Sequence, residues 1–335
     1  MTFKIALAMS AGVAEQIFPT ASLSLLDESL ELVTKVPLTR FDCPEAQEIL
    51  PQLDALITGW GCPLLSADVL ERAPKLRFAL HAAGSVKHHI TEAVWDRGIQ
   101  VSTAASANAI PVAEYTLAMI LLANKKVLES SAALYRSEGT RVSPTSLFPG
   151  LGNYSKNIGL VGASQVGRAL IKLLRPFKFN VLVSDPFLTQ EEAAQLGVTL
   201  MELDGLLAAS DVVSMHAPSL PETRHLINKE RLALIRPGAT FINTSRGALI
   251  DQVALLQRVQ TGTLYAVLDV TTPEVLEAGH PFYSEPNVTL TPHIAGALGV
   301  ELARLGTSAL AEAGRAARDE PLAFPVTRAD WDRIA

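Results

Sequence analysis

The chain has 335 residues, of which 48% are hydrophobic and 19% are charged, and its formal net charge is −6 at pH 7. This length fits two domains or one large α/β domain, and the apolar content supplies a sizeable core and argues against disorder. The negative charge argues against nucleic acid and anionic membranes as partners, because both attract clustered cations. Cys43 and Cys62 show no CxxC spacing, so we expect a reducing compartment.

The N-terminal segment "MTFKIALAMS" has one lysine before a very short apolar run. The run is too brief for a secretion signal, so it predicts a first strand. No run approaches about 18 uninterrupted apolar residues, the length that predicts a membrane span. We therefore expect a soluble, cytoplasmic protein.

Short β-rich runs alternate with helical stretches along the chain. They are "FKIALAM", "ALITG", "RFALHAA", "IGLVG", "NVLVSD", "DVVSMHAP", "ATFINTS", "YAVLDV" and "VTLTPH". Strands alternating with helices imply parallel sheets with right-handed crossovers, which is the doubly wound α/β class. The runs fall into two blocks, roughly residues 1–103 and 155–293.

Two helical stretches flank the second block. Residues 110–139, "IPVAEYTLAMILLANKKVLESSAALYRSEG", are free of glycine until Gly139 and predict one long helix between the blocks. After Pro292, "ALGVELARLGTSALAEAGRAAR" spaces leucines and alanines by three and four residues, as an amphipathic helix does. We expect this terminal helix to return to the first block.

The turn "GASQVG", residues 162–167, follows a predicted strand and opens a predicted helix. Gly162 and Gly167 fit the first and third glycines of a dinucleotide fingerprint, which allow a tight turn and close helix packing. Ser164 takes the middle place, where its hydroxyl could donate to a phosphate oxygen. The helix starting near Gln165 directs its amides and positive dipole end toward a pyrophosphate.

Asp185 closes the next predicted strand, 18 residues after Gly167. A carboxylate there accepts hydrogen bonds from the adenosine ribose hydroxyls and repels a 2′-phosphate, so the pattern favours NAD over NADP. No arginine follows in "DPFLTQ", which favours the same choice. The alternative is an ordinary strand-to-helix turn with Asp185 starting a loop.

Arg246, Glu274 and His293 each follow a predicted strand. Ligands of open α/β sheets collect at the carboxyl ends of strands, so these side chains are candidates for one site. Reduction of a 2-oxo acid needs a cation for the carboxylate and carbonyl, and a proton donor. Arginine and a histidine whose pKa is raised by a carboxylate supply both. Taken singly, each residue could equally be a surface arginine, a solvated loop charge or a satisfied histidine.

The stretches "DVVSMHAPSLPETRHLINKERLALIRPGATFINTSRGALID", "LDVTTPE" and "TPHIAG" resemble the signatures of the D-isomer-specific 2-hydroxyacid dehydrogenases, over nearly the whole chain. The resemblance implies an NAD-dependent D-2-hydroxyacid dehydrogenase, or 2-oxoacid reductase. It implies a Rossmann NAD-binding domain, residues 104–294, inserted into a flavodoxin-like substrate domain, residues 1–103 and 295–335. The stretch "VAEYTLAMILL" resembles the family's dimer helix, so a homodimer is implied.

The resemblance also implies residue roles. Arg246 resembles the substrate-binding arginine, Glu274 the residue that orients the histidine, His293 the acid-base, and Asp269 a residue near the nicotinamide carboxamide. Together, the fingerprint and the resemblance give the set expected to line the cofactor: Gly162, Ser164, Gln165, Val166, Gly167, Asp185, Pro186, His216, Ala217, Pro218, Thr223, Thr244, Ser245, Arg246, Asp269, His293 and Gly296.

The family's Gly-x-Gly substrate loop resembles "HAAGSVKHH", in which Ala82 replaces the first glycine and the usual acidic residue is absent. The substrate is therefore expected to contact Ala83, Gly84, Arg246 and His293. Trp60 and Gly61 either reach the same pocket or serve the core or a turn.

The neighbouring His88 and His89 would point about 100° apart on a helix and make a poor metal pair, so we expect no metal. Two alternatives to the dehydrogenase stay open: an NADH-sensing binding or regulatory protein of the same fold, and the same chemistry on another anion such as a phosphonate or phosphite.

Overall fold

The structure, a computed structural model, describes residues 2–19, 23, 26–136, 143–148 and 150–331. The chain divides into two compact units. The first unit comprises Met1–Asn108 and Ala297–Ala335, and the second comprises Ala109–Gly296. The first unit is thus built from both ends of the chain.

Strands and helices alternate along most of the chain. The strands are β1 (Phe3–Ala8), β2 (Leu30–Leu32), β3 (Ala55–Thr58), β4 (Phe78–His81), β5 (Gln100–Thr103), β6 (Asn157–Val161), β7 (Asn180–Ser184), β8 (Thr199–Leu200), β9 (Val212–Met215), β10 (Thr240–Asn243), β11 (Tyr265–Leu268), β12 (Val288–Leu290) and β13 (Pro325–Val326). The helices are α1 (Ala11–Ile17), α2 (Pro44–Ile49), α3 (Ala67–Arg72), α4 (Glu92–Asp96), α5 (Ala105–Asn124), α6 (Val127–Arg136), α7 (Pro144–Leu147), α8 (Gln165–Leu174), α9 (Gln190–Leu196), α10 (Leu203–Ala209), α11 (Lys229–Leu234), α12 (Gln252–Gln260) and α13 (Leu302–Ala317).

The first unit contains a six-stranded sheet in the order β13-β5-β4-β3-β1-β2. All its pairings are parallel except that of β13 with β5. The order β2-β1-β3-β4-β5 is the flavodoxin-like arrangement, in which ligand sites lie at the carboxyl ends of the strands. β3 and β4 are buried along their whole length, as expected for strands covered on both faces.

Helix α13 packs within the first unit. Its buried leucines and alanines share a hydrophobic cluster with residues of β1 and α1. A Cβ added at Gly306 would lie 2.3 Å from the carbonyl oxygen of Ile17, so a glycine is needed where α13 meets α1. The buried Glu312 accepts backbone hydrogen bonds from Ala323 and Phe324 at 3.0 and 3.1 Å, which holds the segment leading into β13.

The second unit contains a seven-stranded parallel sheet in the order β12-β11-β10-β9-β6-β7-β8. The chain reverses its direction of strand addition between β6 and β9, which is the switch point where doubly wound sheets bind nucleotides. The carboxyl ends of β6, β7 and β9 to β12 lie along one edge because all the pairings are parallel. That edge carries the predicted site residues of the second unit.

The prediction of two doubly wound parallel sheets is confirmed. Each of the nine predicted β-rich runs contains a strand. The strands β2, β5, β8 and β13, which are two to four residues long, were not predicted.

The prediction of one long helix over residues 110–139 is wrong. The chain forms α5 and α6, which are separated at Lys125 and Lys126. Lys126 has φ +48°, a left-handed conformation that ends a right-handed helix. Residues 137–139 of the predicted helix lie outside the described residues.

Helix α5 is long and apolar enough to cross a membrane by length and composition, and it alone meets that test in the described part of the chain. A core helix meets the same test. Ala113, Ile120 and Ala123 of α5 are buried in a hydrophobic cluster of the second unit.

Candidate active site

The turn after β6 is closely packed. Gly162 has φ +103°, and a Cβ added there would lie 2.8 Å from the backbone nitrogen of Ala217. A Cβ added at Gly167 would lie 2.4 Å from the carbonyl oxygen of Gly162. Gly162 is therefore required both for its backbone conformation and for its close contact with Ala217. Gly167 is required because α8 approaches the turn closely there.

Asp185 braces this turn. Its carboxylate accepts hydrogen bonds from the backbone N–H of Ala163 at 2.7 Å and of Phe187 at 2.8 Å. An ionised carboxylate has about four acceptor sites, so acceptors remain for ribose hydroxyls. Ser164 is the N-cap of the ten-residue α8, and its side chain makes no capping hydrogen bond. The helix start thus has unsatisfied backbone donors, as an anion site requires.

His216 lies directly beneath the turn. The Cβ of His216 is 3.6 Å from the place a Cβ at Gly167 would occupy. The ring is buried, and neither ring nitrogen has a hydrogen-bond partner in the described part of the chain. Burial lowers the pKa of His216 to about 3, so the ring is neutral near pH 7.

Arg246 stands on the loop after β10 and is exposed. Asn243 fixes this loop, since its side chain donates to the carbonyl of Arg246 at 2.9 Å and accepts from the N–H of Ser245 at 3.0 Å. A Cβ added at Gly247 would lie 2.2 Å from the carbonyl carbon of Thr271. The backbone of the arginine loop therefore packs directly on the loop that follows β11.

Glu274 and His293 are in direct contact. Glu274 follows β11 and His293 follows β12, the neighbouring strand, and Nδ1 of His293 lies 2.6 Å from Oε1 of Glu274. An ionised carboxylate only accepts, so Nδ1 carries the hydrogen and Nε2 is the free ring nitrogen. Both side chains are about half exposed. The arrangement can hold a histidine in one tautomer with its other nitrogen open to a ligand.

Asp269 organises the loop that carries His293. Its carboxylate accepts from the hydroxyl of Thr291 at 2.6 Å and from the N–H of Ile294 and Ala295 at 2.8 and 2.9 Å. Its carbonyl accepts from the N–H of His293 at 3.0 Å. His293 has φ +54°, a conformation that is costly for a residue with a side chain and needs such support.

The network extends to α5 through Tyr115. Its hydroxyl lies 2.7 Å from the hydroxyl of Thr291, which in turn donates to Asp269. Burial and the nearby Asp269 raise the pKa of Tyr115, while the hydrogen bond with Thr291 opposes that rise. Tyr115 therefore stays protonated and ties the helix to the histidine loop.

Several residues predicted to line the cofactor use their hydroxyls within the protein. Thr223 donates to the carbonyl of Pro218 at 2.7 Å, and Ser245 donates to that of Met215 at 2.6 Å. The hydroxyl of the buried Thr244 lies 3.3 Å from that of Thr116. The other predicted residues follow the same strands or begin α8: Gln165, Val166, Pro186, Ala217 and Gly296.

In the first unit, Ala83 and Gly84 follow β4. Their carbonyls accept from the hydroxyl of Thr103 at 2.8 and 2.5 Å, which fixes the loop. Gly61 has φ +80° and serves a turn, while Trp60 is 43% exposed and lies outside the core.

His88 and His89 lie in a turn and not on a helix. His89 points inward, with Nε2 at 2.9 Å from the hydroxyl of Thr58, and Nδ1 of His81 lies 2.9 Å from the same hydroxyl. We call Thr58, His81 and His89 the histidine cluster. No group of three metal-ligating side chains occurs within the described ranges.

The family model for the NAD-binding domain of D-isomer specific 2-hydroxyacid dehydrogenases matches residues 117–295, more than half of the chain. The chain belongs to this family. The matched segment lies within the second unit, and NAD(H) is its cofactor. The glycine turn, the start of α8 and Asp185 together fit the pyrophosphate and ribose of NAD.

Two curated members of the family show how far the similarity extends. D-3-phosphoglycerate dehydrogenase of Mycobacterium leprae is 34% identical over 270 residues, which are 79% of this chain and 50% of that protein. Glyoxylate reductase of Korarchaeum cryptofilum is 30% identical over 285 residues, 83% of this chain and 84% of that protein. The chain thus spans about half the length of the phosphoglycerate dehydrogenases it matches, and nearly the full length of the reductase.

Among solved structures, a phosphoglycerate oxidoreductase from Rhizobium etli superimposes with a TM-score of 0.83 at 25% identity, over 98% of this chain and 99% of that chain. The likeness covers both units of the family fold.

Sequence reasoning missed four residues that hold the site: Tyr115, Asn243, Gly247 and Thr291. Gly247 had a local signal, since a glycine directly after a strand-end arginine indicates close backbone approach. Tyr115 and Thr291 are 176 positions apart, so their contact has no local signal.

Proposed function

We propose that the protein is an NAD-dependent D-2-hydroxyacid dehydrogenase that interconverts a 2-oxo acid and the corresponding 2-hydroxy acid. The observation that carries the proposal is the contact between His293 and Glu274, beside the arginine loop and on the same sheet edge as the nucleotide turn. Membership of the family supports the reaction class. The substrate is proposed as a small 2-oxo acid because a glyoxylate reductase is among the relatives matched over most of their length.

In the proposed mechanism, the exposed guanidinium of Arg246 binds the substrate carboxylate and polarises the carbonyl oxygen. Nε2 of His293 donates a proton to that oxygen during reduction and accepts it during oxidation. Glu274 holds the imidazole in the required tautomer and stabilises its charged form. NAD(H), when bound, supplies or accepts the hydride at the substrate carbon.

The proposed cofactor contacts follow from the turn and its neighbours. Backbone N–H groups at the start of α8 would hold the pyrophosphate, with the hydroxyl of Ser164 as an added donor. Asp185 would accept hydrogen bonds from the adenosine ribose. Asp269 contributes by holding the histidine loop, and Ala83 and Gly84 stay predictions as substrate contacts.

The test follows NADH absorbance with glyoxylate, hydroxypyruvate, pyruvate and bulkier 2-oxo acids, for the wild type and for Arg246→Lys. We expect turnover of at least one acid, and a rise in its KM for Arg246→Lys because lysine loses the bidentate fork. NADH binding without turnover of any acid, together with reduction of NAD⁺ by a phosphonate or phosphite in a parallel assay, would replace the substrate class. Binding of a partner protein that depends on NADH, without turnover, would favour the regulatory alternative.

We also propose that the protein is a cytoplasmic homodimer. The stretch "VAEYTLAMILL" lies in α5, and the helix that follows it, α6, has no buried residue. Leu128 and Tyr135 are exposed on α6, as at a surface that pairs with another chain. Tyr135→Glu is expected to convert the dimer to a monomer in light scattering after gel filtration. A wild-type mass of one chain would contradict the proposal.

A further inference from the structure

A small polar cavity lies at the amino edge of the sheet in the second unit. Its volume is about 100 Å³, and its lining includes Lys126, Lys156, Asp211, Arg236 and Thr240. Lys156 directly precedes β6, Asp211 precedes β9 and Thr240 begins β10. The nucleotide turn follows the carboxyl end of β6, and His293 follows the carboxyl end of β12 in the same parallel sheet. Both therefore lie at the edge opposite to the cavity. With about 3.3 Å per strand residue, the two edges are about 15 Å apart, so the cavity is separate from the candidate active site.

Lys126 brings a buried cation to this cavity. Its Nζ donates to the hydroxyl of Thr240 at 3.0 Å, lies 3.5 Å from the ring centre of Tyr265 and is 3.9 Å from Glu129. Burial lowers the pKa of Lys126 to about 8, and Glu129 opposes that change. Its left-handed backbone at the break between α5 and α6 is the local feature that ends α5. A buried ammonium is costly, so the site must compensate for it.

Two further cations in the lining share one carboxylate. Nζ of Lys156 and a guanidinium nitrogen of Arg236 lie 3.2 and 3.3 Å from the same Oδ1 of Asp211. The other oxygen of Asp211 accepts from the backbone N–H of Asn157 at 2.9 Å. The group contains three cations, Lys126, Lys156 and Arg236, and two carboxylates, those of Glu129 and Asp211. Its net charge is therefore +1.

A neutral donor in the same lining is also unused. Asn124 is 7% exposed, and its side-chain nitrogen has no hydrogen-bond partner within the described ranges. Buried amide donors are nearly always paired, with protein, water or ligand. A bound anion with several acceptor oxygens would accept a hydrogen bond from the side chain of Asn124. The same anion would neutralise the excess positive charge of the lining.

We propose that this cavity binds a free tetrahedral oxyanion of the size and charge of inorganic phosphate. The cavity volume of about 100 Å³ is sufficient for one such ion. Phosphate oxygens accept from ammonium, guanidinium and amide donors, the three donor types present. Asp211 repels the ion and limits its affinity, while holding Lys156 and Arg236 in place. The proposal does not depend on the reaction catalysed at the other edge.

The test is isothermal titration calorimetry of the whole chain with sodium phosphate, at ionic strength fixed with sodium chloride. Saturating NADH is present so that the pyrophosphate site is filled. We expect saturable binding, and Kd values at least about tenfold higher in Lys126→Met and in Arg236→Gln, because each loses a charge-assisted contact. Arg236 is partly exposed, so its replacement tests the site even if Lys126→Met fails to fold.

Lys229→Met is the matched control, because it removes one exposed charge from the same unit outside the cavity lining. It is expected to bind phosphate as the wild type does. Equal Kd values in the cavity variants and the control, or no saturable heat, would each overturn the proposal. In a crystal soaked with tungstate, an anomalous peak between Lys126 and Arg236 would support it, and peaks elsewhere alone would overturn it.

Discussion

Both units contain a histidine at or just after the carboxyl end of a parallel strand: His81 in the histidine cluster of the first unit, and His293 in the second unit. The two histidines differ in exposure and in hydrogen-bond partner. His81 ends β4 and His293 follows β12 closely, each at the carboxyl end of a parallel strand. His293 is half exposed and contacts a carboxylate, whereas His81 and His89 are buried around a threonine hydroxyl. Burial sets the pKa of His81 well below its usual value and that of His89 at about 4. Exposure and a carboxylate partner, more than the position after a strand, distinguish His293, the proposed acid-base, from the two buried histidines.

The largest effect is expected from replacing the exposed histidine. His293→Asn removes the proposed proton donor, so kcat should fall by about 10²–10⁴. The affinity for NADH, measured by fluorescence titration, should stay within about threefold of the wild type. Steady-state kinetics with the best 2-oxo acid give the comparison.

His81→Gln is the control for this prediction. The buried ring does not exchange protons at neutral pH, so the pH profile of kcat should keep its wild-type shape. If His81→Gln abolished the acidic or the basic fall of kcat with pH and His293→Asn kept full activity, His81 and not His293 would be the proton donor.

The second effect is a loss of stability in acid, which arises from the histidine cluster. A folded pKa below the unfolded value of 6.5 means that the unfolded chain takes up the proton first. The contribution of His89 is therefore complete above pH 6.5 and is lost as the pH falls toward 4, to a total of about 3 kcal/mol. All three tryptophans, Trp60, Trp95 and Trp331, lie in the first unit, so their fluorescence follows its unfolding in urea.

His89→Gln separates this contribution from other acid effects. The variant keeps a side-chain donor near Thr58 but does not titrate, so its unfolding free energy should fall less steeply between pH 6.5 and 4 than that of the wild type. Identical pH slopes in the two proteins would show that His89 is not held neutral in the folded state.

A third, smaller effect concerns the clamp on the histidine loop. Asp269→Asn replaces one acceptor oxygen by an NH₂ group, while the three donors that face the carboxylate remain. We expect the free energy of unfolding to fall by about 1–3 kcal/mol and kcat to fall about tenfold. The KM for NADH should change little. A raised KM for NADH with kcat retained would place Asp269 on the cofactor rather than on the loop.

The smallest effect is expected at the far end of the same network. Tyr115→Phe removes one hydrogen bond to Thr291, which keeps its bond to Asp269, so stability should fall by about 1 kcal/mol or less and kcat by up to about threefold. Tyr283→Phe is the matched control, since that hydroxyl bonds the carbonyl of Leu276 away from the loop. A larger effect on kcat in the control would contradict the role of Tyr115.

The sequence was sufficient for the fold where the local signals are strong. Each of the nine predicted β-rich runs contains a strand, because strands of a parallel sheet that is covered on both faces are apolar along most of their length. The broken helix was not foreseen, because nothing in the sequence shows that Lys126 adopts a left-handed backbone.

The candidate site was only partly predictable. Parallel strands bring their carboxyl ends to one edge, so the shared edge of Arg246, Glu274 and His293 follows from the strand pattern. The burial of His216 and His81 does not follow from it, because burial depends on residues that pack from distant parts of the chain. The hydrogen-bond chain from Tyr115 through Thr291 to Asp269 was not predictable for the same reason, because it joins residues that are far apart in the sequence.

The two-segment construction of the first unit bears on how the protein is made. On the ribosome, Ala109–Gly296 emerges complete before Ala297–Ala335 is translated, so the second unit can fold while the first still lacks α13 and β13. The packing of α13 on α1 and the pairing of β13 with β5 then join residues separated by more than two hundred positions, the slowest type of closure. Until β13 has been made, the edge of β5 is unpaired, and the nascent chain is exposed to aggregation or chaperone binding there.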